Sequence, residues 1–282
     1  MELEGRVVVV TGGGSGIGEA LVRAVHAAGA GHVVVVDRDA TGASRVAAGV
    51  GGTAAVVDVT DEAAVVELVA TTEAAHGPIG LFCSNAGFIT TAGLEESNDT
   101  MQAMWNVHVM AHVYAARAVV PSMAANGGGY LLNTASAAGL LSQLDAMAYS
   151  VTKGAAVSFA QWLAIAHHHQ GIGVSVLCPQ AVSTNLLANS PDGYEGDELE
   201  WTHGGVASSD GVRSADDVAQ CCIEAIGDER FLVLPHPEVG DYVARRGTDI
   251  DRWIAGMRRF QDSIYVDIPL PGDAIVSRAT KG

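Results

Sequence analysis

From residue 6 onward the chain alternates short β-branched runs with longer Ala-rich segments whose apolar positions recur at helical spacing. Val7–Val10, Val33–Val36, Ala54–Val57, Leu81–Ser84, Tyr130–Thr134, Val174–Cys178 and Phe231–Leu234 read as seven strands. Between them Ile17–Ala28, Asp61–His76, Met101–Ala125, Ala148–His169 and Ala215–Ile226 read as helices, with a weaker one over Thr41–Val50. Gly29, Gly77, Gly127 and Gly171 are suited to stop four of these helices. Strand and helix in alternation predict an α/β fold. Right-handed crossovers then give a doubly wound parallel sheet of about seven strands with helices on both faces, in one domain over residues 1–236.

Two segments break this rhythm. Residues 185–213 are polar and Gly-rich, too long for an ordinary α/β connection, and read as a substrate lid. Residues 237–282 form an extension in which Val239, Tyr242, Val243, Ile250, Trp253, Ile254, Met257 and Phe260 follow a near-helical spacing, which predicts a helical element packed on the same domain.

Composition narrows the possibilities. Hydrophobic residues make up 49% of the 282 positions and charged ones 17%, enough to fill a sizeable core. The formal charge of −17 repels phosphate backbones and anionic headgroups, so neither nucleic acid nor a membrane surface is an expected partner. No apolar run approaches the ~20 residues of a bilayer span, and Met1-Glu2-Leu3-Glu4 has the wrong charge for a signal peptide. A soluble, cytoplasmic protein is expected. Cys83, Cys178, Cys221 and Cys222 form no CxxC pair and lie in apolar runs, which predicts reduced thiols and no metal site. His167-His168-His169 cannot converge on one ion from consecutive helical positions.

The candidate chemistry begins after the first strand, where Thr11-Gly12-Gly13-Gly14-Ser15-Gly16-Ile17-Gly18 leads straight into a helix. Glycines there let the backbone turn tightly and approach a pyrophosphate, whose charge meets free N–H groups and the positive end of the helix dipole. Asp37 stands nineteen positions after Gly18, at the end of the second strand. Its carboxylate accepts from an adenosine 2′-hydroxyl and repels a 2′-phosphate, so NAD is expected over NADP, with neighbouring Arg38 as the complicating charge. A second set is Ser136, Tyr149 and Lys153. Tyr149 and Lys153, at i and i+4, share a helix face on which an ammonium can stabilise a phenolate. Tyr149 would exchange a proton with a substrate hydroxyl or carbonyl while Ser136 donates a hydrogen bond to the same oxygen.

With these residues in this order, the chain resembles the short-chain dehydrogenase/reductase family in its single-domain branch with TGxxxGxG and YxxxK motifs. The match covers about residues 5–236 and includes Thr11–Gly18, Asp37, Asp58-Val59, Asn85-Ala86-Gly87, Ser136, Tyr149, Lys153 and Pro179-x-x-Val182-x-Thr184. The resemblance implies a Rossmann-like fold and a homodimer or homotetramer, with the helices over 101–125 and 148–169 as contact surfaces. It also implies that Gly12, Gly14, Ser15, Gly16, Ile17, Gly18, Asp37 and Arg38 face the nucleotide, with Asp58 and Val59 at the adenine and Asn85, Ala86 and Gly87 along the dinucleotide. Lys153 would bond the nicotinamide ribose, and Pro179, Val182 and Thr184 would position the carboxamide. Three departures stand out. Counting back thirteen residues from Pro121 places His108 where the family's catalytic Asn is usual, and a ring nitrogen there is able to hold a proton-relay water. Gln180 follows Pro179 where the family commonly has Gly, and the extension past the last strand is longer than in many members.

The expected function is therefore an NAD-dependent oxidoreductase interconverting a secondary alcohol and a ketone. The lid residues Leu186, Leu187, Tyr194, Leu199 and Trp201, with Leu140, Leu141, Leu144 and Met147, predict an apolar pocket for a hydroxysteroid-like or other hydrophobic small molecule. No Lys or Arg lies between Arg117 and Lys153, or between Lys153 and Arg213, to clamp an anionic substrate. His108 and Gln180 keep a second reading open, a non-catalytic NAD-binding or regulatory protein. A structural interaction protein is the third.

Overall fold

The computed structural model of the chain describes residues 1–184, 186, 190, 208–266 and 273. Among the described residues the strands are β1 (Val7–Thr11), β2 (His32–Asp37), β3 (Thr53–Val56), β4 (Ile79–Ser84), β5 (Gly129–Thr134), β6 (Ile172–Leu177), β7 (Val182–Ser183), β8 (Arg213–Ser214) and β9 (Leu232–Val233). The helices are α1 (Gly16–Ala27), α2 (Ala40–Val50), α3 (Glu62–His76), α4 (Asn98–Trp105), α5 (Ala111–Ala125), α6 (Ala137–Leu141), α7 (Met147–Ala166), α8 (Ala215–Gly227), α9 (Glu238–Thr248) and α10 (Ile250–Ile264). Seven strands form one parallel sheet in the order β3-β2-β1-β4-β5-β6-β9, the Rossmann-like arrangement expected. All seven expected strands are present.

Every residue of β1 and of β4 is buried, because the sheet is covered on both sides. Alternation sorts them: Val8 and Val10 join α1, α2 and α8 around Leu21, Val25 and Ile226, while Val7 and Val9 join α3, α5 and α7 around Leu68, Val119 and Leu163. The strand order reverses between β1 and β4, and at such a switch the loops leaving the carboxyl ends of the strands part to form a crevice.

Two details differ from the sequence reading. The long helix over 101–125 starts at Asn98 and is interrupted by a π-helical turn over Asn106–Met110, which carries His108. Extra-wide turns of this kind re-aim side chains and gather at functional sites. The extension holds two helices, because the chain becomes extended at Asp249 (φ −154°), whose side chain then caps α10 by accepting from Arg252 N–H. The expected lid is described only at its roots, where β7 pairs with β8 in parallel, and at Leu186 and Ser190. Leu187, Tyr194, Leu199 and Trp201 lie outside the described residues. Among those described, no helix is long and apolar enough to cross a membrane.

Candidate active site

Because all strands of the main sheet run the same way, Thr11, Asp37, Ser84, Thr134 and Leu177 end at one edge, and the loops that follow them build one cleft. Its volume is about 920 Å³. Of the catalytic and cofactor residues expected from sequence, all but Gly18 and His108 line it; of the expected apolar pocket Leu141 and Leu186 line it, whereas Leu140, Leu144 and Met147 do not.

At one end the wall is backbone. Gly12 has φ +62° and Gly16 φ +53°, a left-handed conformation costly for other residues. A Cβ on Gly18 would collide with the Gly12 carbonyl and lie 2.8 Å from Asn85 Nδ2, so Gly18 shapes the loop from behind the cleft. Ser15 precedes α1 without a side-chain cap bond, leaving the helix N-terminus to meet an anion. The two Asp37 oxygens accept from Gly14 N–H (2.9 Å) and Asp39 N–H (3.0 Å), which fixes the carboxylate at the end of β2. Arg45, which sequence reading missed, also lines this end, but it is tied to Glu19 (2.7 Å) and to the Gly14 carbonyl (2.9 Å). Asn85 joins three strand ends, donating to Thr11 O (3.2 Å) and accepting from Thr134 Oγ1 (3.1 Å).

At the other end the wall is made of buried side chains. Ser136 Oγ accepts from Ala138 N–H (3.1 Å) at the start of α6; its hydroxyl makes a long contact to Pro179 O (3.4 Å) and also interacts with the Tyr149 phenol. Tyr149 and Lys153, one turn apart on α7, are both buried, with Lys153 Nζ 5.6 Å from the centroid of the Tyr149 ring. Lys153 donates to Thr134 O at 2.8 Å. Burial holds the Lys153 ammonium down to about 7. Burial also pushes the Tyr149 phenol up to about 12, opposed in part by its hydrogen bond with Ser136. The sequence reading has Lys153 lowering the Tyr149 pKa; in the cofactor-free protein burial acts in the opposite direction. Desolvation disfavours the charged form of each group, the phenolate and the ammonium alike.

His108 is fully buried within the π-turn. Its Nε2 accepts from Phe88 N–H (3.3 Å), and its Nδ1 lies 2.9 Å from Thr152 Oγ1. The Thr152 hydroxyl donates to the Ala148 carbonyl (2.9 Å), so Nδ1 carries the ring's proton and the imidazole is neutral. Burial, then Lys153 and His112, hold its pKa well below the usual histidine range. Both nitrogens are engaged by the chain, which removes the ring position a relay water was expected to use. Thr134, Thr152 and Phe88 carry no sequence signal for these parts.

The sequence matches the short chain dehydrogenase family over residues 6–195. It is 34% identical over 248 residues to 1-deoxy-11-beta-hydroxypentalenate dehydrogenase of Streptomyces exfoliatus, covering 84% of this chain and 86% of that one. It is 33% identical to meso-2,3-butanediol dehydrogenase of Serratia marcescens, covering 68% and 77% respectively. The structure superposes with a TM-score of 0.78 on a short chain dehydrogenase/reductase from Burkholderia phymatum in complex with NAD, at 30% identity over 89% of this chain and 96% of that one. The chain belongs to the short-chain dehydrogenase/reductase family and is an oxidoreductase of its alcohol dehydrogenase and ketoreductase type.

Proposed function

We propose that the protein is NAD-dependent and interconverts a secondary alcohol and a ketone on a hydrophobic small molecule. The carrying observation is that one cleft holds the glycine turn with Asp37 at one end and Ser136, Tyr149 and Lys153 at the other. The lining fits a dinucleotide: the Gly12–Gly16 turn and the start of α1 for the pyrophosphate, Asp37 for the adenosine ribose, and Asp58 and Val59 for the adenine. Asn85, Ala86 and Gly87 follow the dinucleotide across the cleft, and Pro179, Val182 and Thr184 floor the nicotinamide end. A fixed carboxylate at Asp37 repels a 2′-phosphate, and the occupancy of Arg45 by Glu19 leaves that cation engaged elsewhere. The bound nicotinamide supplies the hydride acceptor or donor.

The side chains supply the rest. Ser136 Oγ turns its hydroxyl from Pro179 O to the substrate oxygen, and Tyr149 gives that oxygen a proton in reduction or takes one in oxidation. A phenol held near 12 keeps its proton for donation in reduction; to act as base in oxidation Tyr149 must first release that proton, and the neighbouring Lys153, held near 7, exchanges protons at neutral pH. Phe88, Ile89, Ala138, Leu141 and Leu186 line the substrate end, which supports an apolar substrate, as does the relative named for a hydroxypentalenate. Residues 185–213 are read as the lid, and α9 of the 237–282 extension packs against α6 of the same domain. Exposed Trp162 (59%) and Ile165 (73%) on α7 support a homodimer or homotetramer; the proposed location is the cytoplasm.

The test is a screen of apolar secondary alcohols and ketones against NAD(H) and NADP(H), with direct nucleotide binding measured alongside. Turnover of an apolar substrate with NAD as the better cofactor is expected. Nucleotide binding with no turnover across the panel overturns the catalytic reading, and tighter NADPH than NADH overturns the role given to Asp37.

A further inference from the structure

The turn after β6 carries the family departure Gln180, and nearly all of its polar groups are engaged away from the cleft. Its backbone N–H donates to His236 Nδ1 at 3.2 Å, and its side-chain Nε2 donates to Asp210 Oδ2 at 2.9 Å. The second Asp210 oxygen accepts from the Tyr242 hydroxyl at 2.9 Å. His236 completes the set by donating from Nε2 to Gly211 O at 3.2 Å. With Nδ1 accepting and Nε2 donating, the fully buried His236 ring is neutral and held in one tautomer.

Three separate stretches meet in this network. Gln180 belongs to the floor of the cleft, which Pro179, Ala181, Val182 and Thr184 share. Asp210 and Gly211 form the C-terminal root of the 185–213 segment, just ahead of β8. Tyr242 lies on α9, which is anchored by fully buried Val239, and its ring is flanked by Arg245 (5.8 Å) and by Trp253 of α10 (6.2 Å). His236, Asp210 and Tyr242 do not line the cleft; they reach it through Gln180 and, by way of the Asp210–Gly211 root, through Arg213 N–H on Ala181 O (3.1 Å) and the β7–β8 pairing. The side-chain path through Gln180 is the one that variants of Gln180 and Tyr242 address. Gln180 Oε1 is buried with no hydrogen-bond partner among the described residues, a cost of holding Nε2 on Asp210. A carboxylate accepting two donors is the strongest link available to such a chain.

We propose that His236, Asp210 and Tyr242 are positioning residues, forming a latch through which the C-terminal extension sets the Pro179–Thr184 floor and thereby cofactor affinity. The latch rests on the reading of that floor as the nicotinamide end. It gives the extension a task beyond stabilising the fold. Tyr242→Phe, Gln180→Gly and the double variant test it, read by NADH titration and by hydrogen exchange of the 178–184 amides in cofactor-free protein. Tyr242→Phe is expected to weaken NADH binding about fivefold and to speed exchange at 178–184. The double variant is expected to bind no more weakly than the weaker single one, because both changes break one path. A Tyr242→Phe protein that melts earlier yet keeps wild-type NADH affinity and 178–184 exchange overturns the latch, as do effects that multiply in the double variant. A wild-type protein that binds neither NADH nor NADPH removes the cofactor reading instead, and the exchange data alone then decide whether the latch holds the floor.

Discussion

The two ends of the cleft hold their shape by different means. At the Asp37 end the determinants are backbone: left-handed glycines, a helix N-terminus and a carboxylate fixed by two N–H groups. Its ion pairs, such as Glu19 with Arg45, are solvent-exposed and contribute little to stability. At the Tyr149 end the determinants are buried side chains. Lys153, Tyr149, His108, His112 and Cys178 all have pKa values displaced chiefly by burial. Affinity for the nucleotide and chemistry on the substrate are therefore separable, and mutations at the two ends should fail in opposite ways.

The largest expected effect is at the chemical end. Tyr149→Phe removes the proton and keeps the ring, so kcat should fall about a thousandfold, within the range for loss of a general acid or base, while NADH affinity stays within about twofold of wild type by titration. Undiminished turnover would break the contrast. Gly18→Ala is its mirror. The added Cβ must displace the Gly12 carbonyl, so NADH affinity should fall about a hundredfold, equivalent to about 2.7 kcal/mol. Unchanged affinity in that variant would show that the loop is not the pyrophosphate cradle.

The same contrast explains what the sequence could tell. Glycine spacing, a strand before and a helix after are local demands of a backbone turn, so Gly12–Gly18 and Asp37 are readable at once. Tyr149 and Lys153 are readable because i and i+4 share a helix face. The partners of the buried groups are not local. His108 meets Thr152 across 44 positions and Gln180 meets His236 across 56, and nothing in either segment announces the other. Counting from Pro121 locates His108 but not the π-turn that aims it. Nor does spacing report burial, which is why the upward push of burial on Tyr149 is not legible in the sequence.

His108 sharpens the comparison at a smaller scale. As a neutral ring bridging Phe88 N–H and Thr152, it braces the loop after β4 against the catalytic helix and does not titrate near working pH. His108→Leu should lower kcat about tenfold and cost about 1–3 kcal/mol of stability. The midpoints of the kcat/KM profile between pH 5 and 8 should not move, and a limb near 7 belongs to Lys153. Disappearance of an acid limb in the variant would restore the histidine as the relay.

The smallest effect is expected one turn further along α5, at His112. It is as deeply buried as His108, and neither ring nitrogen reaches a partner in full hydrogen-bond geometry among the described residues, although the adjacent Asn133 side chain pulls against burial; Asn133 and Ser84 Oγ are likewise unpartnered. An unpartnered buried polar group destabilises the fold that contains it. Burial holds His112 down to about 3, so between there and the ordinary value of 6.5 the unfolded chain binds a proton that the folded one refuses. Stability is therefore lost as pH falls through that window, by up to about 1.4 kcal/mol per pH unit for this one group. His112→Leu removes both penalties. It should raise the melting temperature at pH 7 by about 2–4 °C and by more at pH 5, where the wild-type ring is already costly. A lower melting temperature at both pH values, with the acid slope unchanged, would mean that the ring is satisfied by partners outside the chain, and that this end of the cleft carries its histidines as bonded parts of the site.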